Sequence, residues 1–213
     1  ELIGLVPKKV LIDAGKHFLK KQERSTGIHE SEIIKIAIKT LGLDELAPFN
    51  PEERIIEYML ESDANKPLVN MSLTGFANET ASESPAPGGG SIAAYSGVMG
   101  IALGTMVANL SAHKRGWDDR WEEFSGWAEK GMAYQNTLLD LVDEDTNAFN
   151  KIMDAFRLPK DTEANNIKRK EAIQAATQYA ILTPFKVMET AYNSMEVMKA
   201  MAEFGNPNSV TDA

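Results

Sequence analysis

The sequence predicts an all-α protein, and three observations predict it. Apolar residues recur at three- and four-residue steps through most of the chain, no run alternates as a strand would, and helix-start and helix-stop residues punctuate the pattern. Residues 6 to 21 open at Pro7 and place Val10, Leu11, Ala14, Phe18 and Leu19 on one stripe, until Thr26-Gly27 breaks the run. Residues 30 to 41 turn Ile33, Ile34, Ala37, Ile38 and Leu41 inward and end at Gly42. Asn50-Pro51-Glu52-Glu53 supplies an N-cap, a proline at the first position and acids at the positive end of the helix dipole. That helix, with Ile55, Ile56, Tyr58, Met59 and Leu60, is expected to run to about Glu61. A polar stretch from Ser62 to Pro67 marks a domain boundary. After it come a short helix near 72 to 82, a proline-glycine turn and a charge-free helix from Ser91 to Ala112. Two long helices follow, from about Asp118 to Phe156 and from about Asp161 to Phe204. Pro184 is expected to kink the second, and Gly205-Asn206-Pro207-Asn208 to stop it.

Composition narrows the function classes. At 213 residues the chain suffices for one domain, or one domain and part of another. It opens at Glu1 and closes at Asp212-Ala213, which leads us to expect a piece of a longer polypeptide. The absence of cysteine excludes a disulfide framework and a thiolate metal site, and fits a reducing, cytoplasmic compartment. A net charge of -9 argues against nucleic acid as a partner, while leaving room for an anionic small molecule wherever basic residues gather. The charge-free segment is long enough to span a bilayer, and Gly97, Gly100, Gly104 and Ala108 recur at a small-residue spacing. Yet it is rich in Gly and Ala rather than Leu, holds Tyr95, Ser96, Thr105 and Asn109, and is flanked by amphipathic helices. The expectation is the central helix of a bundle, not a membrane span.

Three groups of residues could carry chemistry. In LLDLVDEDTNAFNKIMDAF, 138 to 156, the inward stripe reads Leu138, Leu141, Val142, Phe149, Ile152 and Phe156, and Asp145 fills its gap. Asp140, Asp143 and Asp154 fall with Asn136, Asn147 and Asn150 on the opposite, wet face. An inward carboxylate is costly unless paired or used, so Asp145 is either a satisfied structural acid or a general acid/base. Pro85-Ala86-Pro87-Gly88-Gly89-Gly90-Ser91 offers glycines for positive φ or close ligand approach, and a capped helix whose first amides can hold an oxygen; the bland alternative is a flexible cap. Lys114 and Arg115 end the same helix, either complementing its dipole or receiving substrate carboxylates. His17, His29 and His113 are scattered, so no metal site is expected. Trp117, Trp121 and Trp127 are expected to pack, with one available to stack on a flat ring.

Taken together, PAPGGGS opening a Gly/Ala helix, ANLSAHKRGW, LVDEDTNAF, Phe156-Arg157-Leu158-Pro159 and GNPNSVTDA resemble the cyclodeaminase domain of the formimidoyltransferase-cyclodeaminase family. Upstream, ELIGLVPKKVLIDAGKHF and LGLDELAPFNPEERIIEYML resemble the end of that family's transferase domain. The resemblance implies residues 1–61 as a helical remnant of an α+β transferase domain, 62–70 as linker and 71–213 as a cyclodeaminase/cyclohydrolase-like helical bundle that continues past Ala213. It implies work in histidine degradation and one-carbon metabolism. The transferase half moves a formimino group from formiminoglutamate to tetrahydrofolate, and the cyclodeaminase half closes 5-formiminotetrahydrofolate to 5,10-methenyltetrahydrofolate with release of ammonia. The substrate is then a polyglutamated folate and the bundle a dimer within a larger ring. The family's aspartate falls on Asp145, the residue the stripe singles out on its own. Gly88, Gly89, Gly90 and Ser91 are expected at the pterin, Lys114 and Arg115 at the glutamate tail, and Asn206, Ser209 and Asp212 at the pocket's edge. None of the three histidines matches the transferase's catalytic one, so this chain is expected to lack that activity. Methenyltetrahydrofolate cyclohydrolase chemistry on the same fold, or a non-catalytic oligomerisation module, are the other readings.

Overall fold

The computed structural model describes residues 4–60 and 66–213, and among them it is all-α. The helices are α1 (Lys8–Lys21), α2 (Glu30–Thr40), α3 (Pro51–Arg54), α4 (Ile56–Leu60), α5 (Leu73–Thr80), α6 (Gly89–Ala112), α7 (Trp121–Arg157) and α8 (Glu163–Phe204), with 3-10 turns at Asp118–Arg120 and Pro207–Asp212. The first part of the expected linker, residues 62–65, lies outside the described residues. Two compact units interleave along the chain: Glu1–Asp63, Ile101–Ala133 and Glu196–Ala213 form one, and Ala64–Gly100 and Tyr134–Met195 the other. One break between the units, Asp63 to Ala64, falls in the polar stretch from Ser62 to Pro67.

In the first unit, α1 and α2 form a hairpin that crosses where Gly15 meets the backbone and Cγ2 of Ile33. Val6, Leu11, Ile34, Ala37, Ile38 and Ile55 make its core. Val10 and Leu41, expected inside, are exposed, because Leu11, Gly15 and Leu19 carry the buried face of α1 and Ile33 to Ile38 that of α2. The single helix expected from Pro51 to Glu61 is two. Ile55 is extended (φ -95°, ψ 123°) and bridges Val6, whose amide donates to Arg54 O at 2.9 Å and whose carbonyl accepts from Ile56 N at 3.1 Å. A fully buried Ile55 side chain holds that break, a tertiary contact overriding helix propensity. In the same unit Gly131 lies against Thr105, and Gly104 against Met198.

In the second unit the N-terminal half of α6 packs on α7 and α8 at Gly97, where a β-carbon would stand 3.2 Å from Leu138 Cδ1 and 3.6 Å from Ala191 Cβ. The inward stripe of α7 is Leu138, Leu141, Val142, Ala148 and Ala155, and the phenylalanines expected there, Phe149 and Phe156, are exposed. Small alanines let the helices approach closely, and the rings lie on the neighbouring face. Asp143, placed by its spacing on the wet face, is only 4% exposed. Its carboxylate accepts from the amides of Leu68 (2.8 Å) and Val69 (3.2 Å), which no intrahelical carbonyl serves. Across both units α6 buries Ala94, Val98, Ile101, Val107 and Ala108, and leaves Met99, Leu103, Met106 and Leu110 on an exposed stripe. By length and composition alone α6 could cross a membrane; its buried face is that of a packed helix. Pro184 sits inside a continuous α8, with no break in the helix there.

Glu129, on α7 in the first unit, carries a testable pH dependence. Burial pushes its carboxyl up, but hydrogen bonds from Lys16 (2.6 Å) and Thr26 and the charges of Lys16 and Lys20 outweigh that and hold it below the ordinary range. A depressed folded pKa gives stability that is complete above the unfolded value and is lost as pH falls through the folded one. Urea denaturation across pH 6 to 3 should therefore show a steeper acid loss for the native chain than for Glu129→Gln; parallel curves would show that the pair contributes nothing.

Candidate functional site

Of the acids along the second half of α7, four are accounted for by partners. Asp140 pairs with Lys66 at 2.7 Å, Glu144 with Lys151 at 3.7 Å and Asp154 with Arg157 at 3.1 Å, all toward solvent, while Asp143 spends both oxygens on backbone amides. Asp145 differs. It is half-buried and faces the first turn of α6, where the Ser91 amide donates to its Oδ2 at 3.1 Å. The Ser91 hydroxyl, itself buried, donates to Val142 O at 2.7 Å and stands 3.5 Å from both Asp145 Oδ2 and Thr146 Oγ1. Asp145 Oδ1 accepts no hydrogen bond among the described residues. The carboxylate is thus anchored through one oxygen, while the other has no hydrogen-bond donor among the described residues.

The glycine turn makes this seat possible by close approach rather than by unusual backbone. None of Gly88, Gly89 and Gly90 takes a positive φ, contrary to one use expected for them. A β-carbon on Gly90 would collide with Oδ1, Cγ and Oδ2 of Asp145, and one on Gly88 would stand 3.8 Å from Oδ2. Only a residue without a side chain lets the carboxylate settle over the start of α6. The helix begins at Gly89, earlier than expected, and the acceptor serving its third residue comes from α7, not from Ser91 acting as a cap. Carboxylate and helix start attract each other through the dipole as well as the hydrogen bond.

Two neighbours escaped the sequence reading. Thr146 offers a hydroxyl beside Ser91. Phe76, on α5, and Tyr95, one helical turn beyond Ser91 on α6, form a half-exposed aromatic pair with centroids 5.4 Å apart. The four-residue step from Ser91 to Tyr95 was the available signal, masked by a segment apolar all round.

The remaining candidates gather elsewhere. Lys114 and Asn206 both bond Ser111: the Lys114 amide donates to its carbonyl at 3.2 Å and the Asn206 amide to its hydroxyl at 2.8 Å. Asn206 caps the last 3-10 turn by accepting from Asn208 N, Ser209 is buried within that turn and Asp212 is exposed. Lys114 Nζ lies 3.9 Å from the Trp117 ring centroid, which is also stacked on Phe124, and Arg115 is exposed. Neither cation is in an ion pair among the described residues. These residues stand past the C-terminal end of α6, whereas Asp145 and the glycines stand at its start. The first group lies in the first compact unit and the second in the other. His113, given no role, has its imidazole held below the ordinary range by burial and then by the Arg24 charge. Among the described residues no group of three or more His, Asp or Glu is placed to hold a metal ion.

Family models match the chain in two blocks: the formiminotransferase domain over residues 1–61 and formiminotransferase-cyclodeaminase over 72–213. Formimidoyltransferase-cyclodeaminase of Mus musculus is 36% identical over 213 residues, all of this chain and 39% of that protein. The Gallus gallus protein of the same name is 36% identical over 207 residues, 97% of this chain and 38% of its own length. The chain therefore spans about two fifths of these relatives. A methenyltetrahydrofolate cyclohydrolase of Methylorubrum extorquens is 33% identical over 144 residues, 68% of this chain and 69% of that protein. The crystal structure of formiminotetrahydrofolate cyclodeaminase from Thermotoga maritima superposes with a TM-score of 0.57 at 31% identity, covering 67% of each chain.

The close approach at residue 90 predicts opposite outcomes for adjacent glycines. Gly89→Ala, with nothing within 4 Å of its β-position, should leave the urea midpoint unchanged or slightly raised. Gly90→Ala should lower stability by about 1–3 kcal/mol through loss of the Ser91–Asp145 bond, despite alanine's better helix propensity. Equal midpoints would show that the carboxylate is not seated there.

Proposed function

The chain belongs to the formiminotransferase-cyclodeaminase family, and from that premise we propose that residues 72–213 close 5-formiminotetrahydrofolate to 5,10-methenyltetrahydrofolate with release of ammonia. In the complete polypeptide the transferase half supplies the formimino group from formiminoglutamate. The observation that supports this reading is the Asp145 carboxylate, anchored through Oδ2 and with no hydrogen-bond donor on Oδ1 among the described residues.

The chemistry asks for one group that takes and then returns a proton. The aryl-amine N–H of the folate adds to the carbon of the protonated formimino group, –CH=NH2+, whose C=N π pair passes to its nitrogen, giving a tetrahedral carbon that carries the two folate nitrogens and –NH2. Asp145 Oδ1 accepts the proton that the attacking nitrogen sheds. The same carboxyl then delivers it to the –NH2 group, the C–N bond breaks with its electron pair on nitrogen, and ammonia leaves as the ring nitrogens form the methenyl cation. A carboxyl fixed by one oxygen and facing a partly dry site serves both transfers without reorientation. The first amides of α6 and the Phe76–Tyr95 pair then lie beside the flat pterin.

Lys114 and Arg115 suit the carboxylates of a polyglutamate tail, Lys114 being held on the Trp117 face and Arg115 free in solvent. Self-association is the way proposed for them to serve the same substrate as Asp145. Met99, Leu103, Met106 and Leu110 repeat at heptad-like steps on the exposed side of α6, the pattern of a helix that meets another copy. A two-fold antiparallel pairing of α6 would set the cationic end of one copy beside the glycine turn of the other. The reading needs neither metal nor nucleic acid nor membrane, and places the protein in the cytoplasm.

The likeness to the Methylorubrum cyclohydrolase favours a second reading, in which water adds to a methenyl carbon at the same carboxyl. Ammonia release separates the two. With 5-formiminotetrahydrofolate, the complete polypeptide should release one ammonia per unit of methenyl absorbance. Asp145→Asn, folded by circular dichroism, should lose at least 100-fold in kcat, and replacing Lys114 and Arg115 by Ala should raise KM for polyglutamated more than for monoglutamated substrate. An unchanged rate in folded Asp145→Asn removes the carboxyl from the mechanism.

A further inference from the structure

The turn between α1 and α2 is built for a purpose that the folate reading does not use. Ser25 and Thr26 are 1% and 2% exposed, an unusual depth for two hydroxyl residues in a turn. Both hydroxyls meet partners. The Thr26 amide donates to Ser125 Oγ at 2.9 Å, the two hydroxyls of Thr26 and Ser125 are 3.1 Å apart, and the Gly27 amide donates to Ser25 Oγ at 3.2 Å. Asn109, on α6, donates Nδ2 to Gly27 O at 2.8 Å. Lys16, on α1, pairs with Glu129 on α7 at 2.6 Å. Ser125, Ala128 and Glu129 share one face of α7, so a single helix face receives the whole turn.

Two features make this a fitted joint rather than incidental packing. Gly27 lies so close to the carbonyl carbon of Ala128 and the amide nitrogen of Glu129 that no β-carbon could be accommodated without backbone movement. Asn109 keeps its amide turned to Gly27 O although its own Oδ1 is buried without a hydrogen-bond partner among the described residues. The bond from Nδ2 is what ties Gly27 to α6. The two blocks matched by separate family models, 1–61 and 72–213, thus meet through directional hydrogen bonds and a glycine-sized contact. A slip of one residue along α7 would lose all of them at once.

We propose that Ser25-Thr26-Gly27 is the docking element that fixes the formiminotransferase-side hairpin α1–α2 on the parts of α6 and α7 that share its compact unit. The proposal stands independently of the reaction assigned to Asp145.

Hydrogen exchange followed by mass spectrometry on the full chain tests it. Gly27→Ala forces a β-carbon into the joint, and Ser125→Ala removes the Thr26 partner while leaving α7 with a good helix former. In both, amides of α1 and α2 should exchange at least ten-fold faster, while those of α7 from 138 to 157 keep native rates. Gly126→Ala, whose β-position is open, should change neither. Unchanged protection of the hairpin in both variants would overturn the proposal. So would equal acceleration of the hairpin and of 138 to 157, which would mean that the variants loosen the chain generally. If Gly27→Ala fails to fold, Ser125→Ala gives the reading by itself.

Discussion

One hydrogen bond organises the candidate site: the amide of Ser91, at the start of α6, held by the carboxylate of Asp145 from α7. A helix start has amides that no carbonyl of its own helix can serve, and a half-buried carboxylate has charge that apolar neighbours cannot serve. Each removes the other's cost. The arrangement requires that nothing stand between them, hence glycine at 90, and that the loop before the helix be fixed, hence the Ser91 hydroxyl bound to Val142 O. It also explains why the acid remains usable. Asp143, two residues earlier, gives both oxygens to backbone amides and has no acceptor left to offer, whereas Asp145 gives one.

Much of this was legible in the sequence, though not evenly. Helix periodicity found α1, α2, α7 and α8, because each buries a face over several turns, whereas α5, which buries no residue, and α6, apolar all round, were read from their flanking turns. It also found Asp145, since a lone acid among Leu138, Leu141 and Val142 breaks a stripe. The same periodicity misplaced Asp143, whose burial depends on the amides of Leu68 and Val69, some 75 residues away in sequence. It put Phe149 and Phe156 inside, where Ala148 and Ala155 are found, because size suggests a core while close helix approach selects small residues. The break at Ile55 was invisible for a similar reason: a pairing with Val6 decides it, and no local propensity records that pairing.

Organisation along the chain shows the same divide between local and distant information. Composition places a boundary near the polar residues after Glu61, and family matches fall on either side of it. Yet compact packing assigns Ile101–Ala133 and Glu196–Ala213 to the same unit as the N-terminal hairpin. Inheritance of a segment and participation in a folded unit are different properties. Here the second rests on a turn whose buried hydroxyls and bare glycine are matched to one face of α7.

The seat of the Asp145 carboxylate can be observed directly. In a chain labelled with 15N and 13C, the Ser91 amide resonance should lie downfield, as a charge-assisted hydrogen bond requires. As pH is lowered it should move along the same titration curve as the Asp145 side-chain carboxyl carbon, and in Asp145→Asn it should stay still. A Ser91 amide that ignores the protonation of Asp145 in the native chain would contradict the account.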